Sequence, residues 1–196
     1  VGALYDGLGV DKAGHIYPSA DDNASGISAL MELARIVSKR RGEIQRDLVL
    51  IAFGAEERGV LGAEAFVARP TVDFKNVVLM INLDMVGRQL LEGMSARKFL
   101  GNVDNTLGFA VSSKWGTMPE NWVLDAARSA DVRVIGVPEE LITSSGYSSD
   151  SVPFSRHVPT VFFSTGIHAD YHSPTDTPDK IDTKQTARAV NMVFSM

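Results

Sequence analysis

Two adjacent acids, Glu56 and Glu57, follow the apolar run Leu48-Val49-Leu50-Ile51-Ala52-Phe53 in the tract Ala52-Phe53-Gly54-Ala55-Glu56-Glu57. A run of that length bounded by Gly54 reads as a strand buried on both faces. Carboxylates at the end of such a strand are costly unless a cation meets them. Other tracts repeat the pattern. Asp6 follows an apolar opening, Asp84 follows Val77-Val78-Leu79-Met80-Ile81-Asn82-Leu83, and His172 comes shortly after Val161-Phe162-Phe163. Asp21-Asp22-Asn23 lies just before a helical stretch, where the helix dipole favours an acid. Each has an ordinary explanation when taken alone: capping acids at 21–22, a solvated helix start at 56–57, a turn acid at Asp84, a surface histidine at His172. Their coincidence at one sheet edge argues for a metal centre. Asp22, Glu56, Glu57 and Asp84 together would have to take up protons unless cations neutralise them. One divalent ion leaves that cluster at about −2, and two leave it about neutral. Oxygen and imidazole donors suit Zn²⁺, and also Mn²⁺ or Co²⁺.

The elements that must position these groups alternate. Strands are expected at residues 1–5, 48–53, 77–83, 133–137 and 159–164. Ile27, Leu30, Met31, Ala34 and Val37 recur at helical spacing, and that helix should stop in Lys39-Arg40-Arg41-Gly42. Residues 61–67 and 119–130 read as helices. Thr183 is the expected N-cap of a last helix with Ala187, Val190 and Phe194 on one face. The stretch from 87 to the helix at 119 carries no clear periodicity. Alternation of this kind predicts an α/β sandwich with a mostly parallel central sheet flanked by helices. In such sheets ligands bind beyond the carboxyl ends of the strands, where these acids fall.

Composition narrows the chemistry. The 196 residues fit a single domain, and 44% hydrophobic content supports a substantial core. A net charge of −5 argues against a nucleic-acid partner held through phosphates. No apolar run is long enough to span a bilayer. With no cysteine, thiolate ligands, disulfides and cysteine nucleophiles are excluded. A chain that opens inside a strand is expected to continue upstream, where any export signal would lie.

Four tracts in order resemble the family-28 metallopeptidases: Ala20-Asp21-Asp22-Asn23-Ala24-Ser25-Gly26, Ala55-Glu56-Glu57, Asn82-Leu83-Asp84-Met85, and Asp170-Tyr171-His172-Ser173-Pro174-Thr175-Asp176-Thr177. These are zinc aminopeptidases, with glutaminyl cyclases as close relatives. The resemblance implies a zinc-exopeptidase three-layer sandwich over residues 1–196, a peptide substrate, and a secreted or periplasmic setting. It implies that Asp22 bridges two zinc ions, that Glu57 and His172 complete the first site, and that Asp84 ligates the second. Glu56 would be the general base, Tyr147 an oxyanion donor, and Asp6 and Asp150 groups that orient ligands. One departure stands out. The family's first motif is histidine, any residue, aspartate, and here Leu4 replaces that histidine. The second metal site is therefore expected to be weak or empty, and activity to be reduced. Ser151, where relatives often carry histidine, is a smaller departure. His15 could supply the lost imidazole, but a solvated loop histidine is the simpler expectation. His157 and His168 are expected to be structural or surface residues. The implied reaction is hydrolysis of N-terminal peptide bonds. The alternatives are a mononuclear-zinc glutaminyl cyclase and a binding domain with impaired or no catalysis.

Overall fold

The computed structural model describes residues 1–138 and 148–196. Its six-stranded sheet uses β1 (Gly2–Leu4), β4 (Ile51–Phe53), β5 (Met80–Leu83), β6 (Thr106–Val111), β7 (Arg133–Gly136) and β8 (Thr160–Ser164), in the order β4-β1-β5-β8-β6-β7. β4, β1, β5 and β8 run parallel, while β6 is antiparallel to β8 and parallel to β7. The carboxyl ends of the four parallel strands thus share one edge. A small antiparallel hairpin, β2 (Gly9–Val10) with β3 (Ile16–Tyr17), leads towards the first long helix.

Alternation along the strands sends side chains into two helical layers. Ile81, Leu83, Val161 and Phe163 pack with Ala29 and Leu33 of α1 (Gly26–Lys39), Val123 of α3 (Met118–Ala130), and Val190 of α5 (Thr183–Phe194). Phe53 and Met80 pack instead with Ala63 of α2 (Leu61–Ala68) and Phe154 of α4 (Ser151–Ser155). Phe154 anchors that second layer, with ring centroids 5.6 Å from both Phe53 and Phe66. This is the expected three-layer sandwich, with its mostly parallel sheet between helices.

Several local expectations need correction. The run before Glu56 is not buried on both faces. β4 has β1 as its sole sheet neighbour among the described residues, Ala52 is exposed, and Leu48 and Val49 are 38% and 40% exposed. In α1, Met31 is 69% exposed, and the core face is Ala29, Leu30 and Leu33. In α5, Ala187 is exposed, and Gln185, Ala189, Val190, Met192 and Val193 form the buried side. The cap of α5 is Asp182, whose carboxylate accepts the N–H groups of Lys184 and Gln185. β6 was not expected from the sequence. Its Gly108 lies so close to β8 that a Cβ there would sit 2.7 Å from the Ser164 carbonyl oxygen.

Candidate metal centre

Asp22 stands in the segment Ala20–Ser25, whose Asp22 and Asn23 have non-helical backbone angles. Neither Asp21 nor Asp22 caps α1 through its side chain. Asn23 ties the entry instead: its Oδ1 accepts from Gly26 N–H and Met85 N–H, both at 3.0 Å, and its amide donates to the Leu83 carbonyl at 2.9 Å. Gly26 permits this approach, since a Cβ there would lie 2.5 Å from the Leu83 oxygen. These contacts bind the start of α1 to the end of β5, bringing Asp22 beside Asp84.

Glu56 and Glu57 lie on a single 3-10 turn, Glu56–Arg58, entered through Ala55 in the left-handed region at φ 56°. Asp6, two residues past β1, accepts the N–H of Glu56 at 3.1 Å and, more loosely, that of Glu57 at 3.4 Å. It therefore sets the turn that carries both acids. His172 follows β8 on a polar loop, with Tyr171 stacked on its ring at 3.8 Å between centroids.

The three groups meet. His172 Nε2 lies 3.2 Å from Asp22 Oδ2 and 3.3 Å from Glu57 Oε2, and all three candidate donor atoms fall within 4.8 Å of one another. Donors bound at about 2.0–2.1 Å around a tetrahedral ion stand about 3.3 Å apart, so this spacing fits one zinc-sized ion. Glu57 Oε1 is buried without a hydrogen-bond partner among the described residues, as expected of a carboxylate arranged for a cation.

The electrostatics agree. Burial, then the charges of Asp150, Glu57, Asp22 and Asp6, push the Glu56 carboxyl up to about 8. Burial and Asp22 also raise Glu57, although His172 opposes them. Burial, Asp22 and Glu56 hold Asp84 well above the usual carboxylate range, against the hydrogen bond from Ser149. Asp150 is fully buried, neither of its oxygens has a partner among the described residues, and burial with Asp6 raises it to about 7. His172 is raised by its contact with Asp22 and by Glu57. Such a crowd of unpaired acids is costly until a cation arrives.

Asp84 does not join the three-donor group; its Oδ2 accepts from Ser149 Oγ at 2.9 Å, which in turn accepts from Asn82 Nδ2 at 2.7 Å. Leu4 is fully buried in β1. His15 does not replace the missing imidazole: it is exposed and held by Asp11 at 2.9 Å. His157 stacks on Phe74 away from the site. His168 is structural, 2% exposed, with Nε2 3.3 Å from Asp21 Oδ2 but not aligned for a hydrogen bond. Tyr147 lies outside the described residues. Sequence reasoning passed over Ser149, Asn82 and Asp176. Asp176 stood inside the histidine tract, but its partners lie at the other end of the chain.

Comparison with known proteins places this geometry. The chain is 28% identical over 184 residues to the aminopeptidase YwaD of Bacillus subtilis, covering 90% of this chain and 36% of YwaD. It superposes on the aminopeptidase from Aneurinibacillus sp. strain AM-1 with a TM-score of 0.73 and 26% identity, over 99% of this chain and 41% of that one. It shares the fold of a Porphyromonas gingivalis glutaminyl cyclase, with a TM-score of 0.70 and 19% identity over 98% and 69% of the two chains. The chain thus spans well under half the length of the two aminopeptidases. Among the described residues, no helix is long and apolar enough to cross a membrane. The model of peptidase family M28 matches residues 1–196 throughout, and the chain belongs to that family.

Proposed function

We propose that residues 1–196 form the catalytic unit of a zinc-dependent aminopeptidase that hydrolyses N-terminal peptide bonds. The observation that carries this reading is His172 Nε2 at 3.2–3.3 Å from Asp22 and Glu57, all three donors within 4.8 Å of one another, with Glu56 adjacent to Glu57. Those three residues would hold the ion. When bound there, a divalent ion lowers the pKa of a water to about 7 and polarises a carbonyl oxygen.

Glu56 does the proton work. A carboxylate beside the metal-activated water is placed both to accept a proton and to return it. It takes a proton from the attacking water as the C–O bond forms and delivers one to the departing amine as the C–N bond breaks. Asp6 holds the backbone of Glu56 and Glu57, so that base and ligand keep a fixed relation. Asp84, with Asp22, is what remains of a second metal site. Without an imidazole at position 4 that site is weak or empty, and activity is reduced. Tyr147 is assigned as donor to the carbonyl oxygen, and Asp150 as a group that orients the Glu56 side of the site.

Zinc-loaded protein assayed on a broad panel of peptides should release N-terminal amino acids. Glu56→Gln should lower that rate by about 10²–10⁴-fold. No release by either the wild-type protein or Leu4→His would overturn the proposal. Leu4 also favours one other reading, single-zinc cyclisation of N-terminal glutamine. Pyroglutamate formation from a glutaminyl peptide, without amino acid release, would select it.

A further inference from the structure

Asp22 and His172 reach the metal centre from opposite ends of the chain, and one side chain fastens their loops together. Asp176 lies four residues after His172, in a turn closed by its N–H to the Ser173 carbonyl at 3.1 Å. Its buried carboxylate accepts the N–H of Asp21 at 3.0 and 3.1 Å and that of Asp22 at 3.1 Å. Its own carbonyl accepts the N–H of Ala20 at 3.3 Å. The backbone that aims the Asp22 carboxylate is therefore gripped by the loop that presents His172.

Asp21 continues the grip from below. Its Oδ1 accepts the Gly87 N–H at 2.7 Å. Its Oδ2 lies 3.3 Å from His168 Nε2 without an aligned hydrogen bond, and that ring accepts the Asp170 N–H at Nδ1.

An acceptor for these N–H groups does not need a charge. A neutral amide could keep the two bonds at the Oδ2 position, giving up only the Oδ1 contact to Asp21, and avoid placing another buried negative charge beside Asp21 and Asp22. A carboxylate here makes sense when a cation is to be held nearby. We infer that Asp176 is a positioning residue for the metal: it fixes Asp22 relative to His172 and adds negative potential behind the site. The inference rests on the metal-centre reading above.

Zinc affinity, measured by competition with a chromophoric chelator, tests it. Asp176→Asn should leave the thermal midpoint of the metal-free protein unchanged or raised. Its zinc Kd should nonetheless be weaker by about 10–100-fold, the usual effect of altering a group behind a metal ligand, because the negative charge and the Oδ1 contact to Asp21 are lost. The visible spectrum of the cobalt-substituted protein should change with it. Val123→Ala, a core substitution remote from the site, should lower the midpoint and leave the zinc Kd alone. A zinc Kd for Asp176→Asn within about twofold of wild type would overturn the inference while leaving the metal centre standing. Loss of folding in both Asp176→Asn and Asp176→Ser would assign the residue to stability alone and overturn it equally. Failure of the wild-type protein to bind zinc would remove the metal-centre reading itself, and this inference with it.

Discussion

Freed of metal by a chelator, the protein should gain stability as the pH falls from about 8.5 to about 5.5. Glu56 moves from 4.5 to about 8 in the folded chain, and Asp150 from 3.8 to about 7. Both carboxyls hold protons in the folded state over a range where the unfolded chain has lost them. Stability from a raised acid therefore declines as pH rises through the folded value. Glu57, Asp84 and His172 are raised as well, so their contributions have the same sign. Glu56 is partly exposed, and halving its contribution for solvent screening leaves about 2 kcal/mol across that window. Asp150, fully buried, adds about 2 kcal/mol. The buried Val1 amino group, lowered from 8.0 to about 6, works the other way by about 2 kcal/mol, so the net of about 2 kcal/mol corresponds to about 5 °C in thermal midpoint for a chain of this size. Differential scanning fluorimetry with and without chelator reads this directly. Zinc should flatten or invert the slope, because it competes with protons for the same donors. Glu56→Gln should raise the metal-free midpoint at about pH 8.5 by removing one buried charge. A metal-free midpoint that stays flat or rises with pH would refute the reasoning.

Other consequences can be checked separately. Leu4→His should raise zinc binding from about one equivalent towards two, measured by metal analysis after gel filtration; without the second ion, the buried imidazole should cost about 1–3 kcal/mol in urea denaturation. Asp6→Ala should lower kcat by about 10–100-fold with little change in fold, because Glu56 and Glu57 lose the acceptor that holds their turn. Phe154→Ala should cost about 3–5 kcal/mol, read from the urea midpoint, and leave the zinc Kd unchanged, since that ring packs between α2 and β4 and touches no metal donor.

Much of this centre was legible in one dimension because its acids sit beyond strand ends, where an apolar run gives way to a carboxylate. Asp84 after β5 and Glu56-Glu57 after β4 follow that rule, although of these only Glu57 joins Asp22 and His172 in the three-donor group. The helices α1, α2 and α3 fall where their spacing put them. What escaped has identifiable causes. β6 contains Gly108 and Ala110, residues with weak strand propensity, and the glycine is required by contact with β8 rather than by its own strand. The run at 48–53 reads as a central strand because apolar content does not distinguish an edge from a centre. Thr183 looked like the cap of α5, but Asp182 immediately before it does the work. Asp21 has the local look of a capping acid, whereas its carboxylate accepts from Gly87, far along the chain. The role of Asp176 depends on contacts with residues 20–22 that no local pattern encodes.

Isothermal titration of zinc into chelator-treated protein tests the central claim most directly. Wild-type protein should bind one equivalent tightly. Asp22→Asn, Glu57→Gln and His172→Ala should each weaken that event by at least about 10–100-fold. Retention of wild-type affinity in all three variants, or no tight zinc binding by the wild-type protein, would contradict the account.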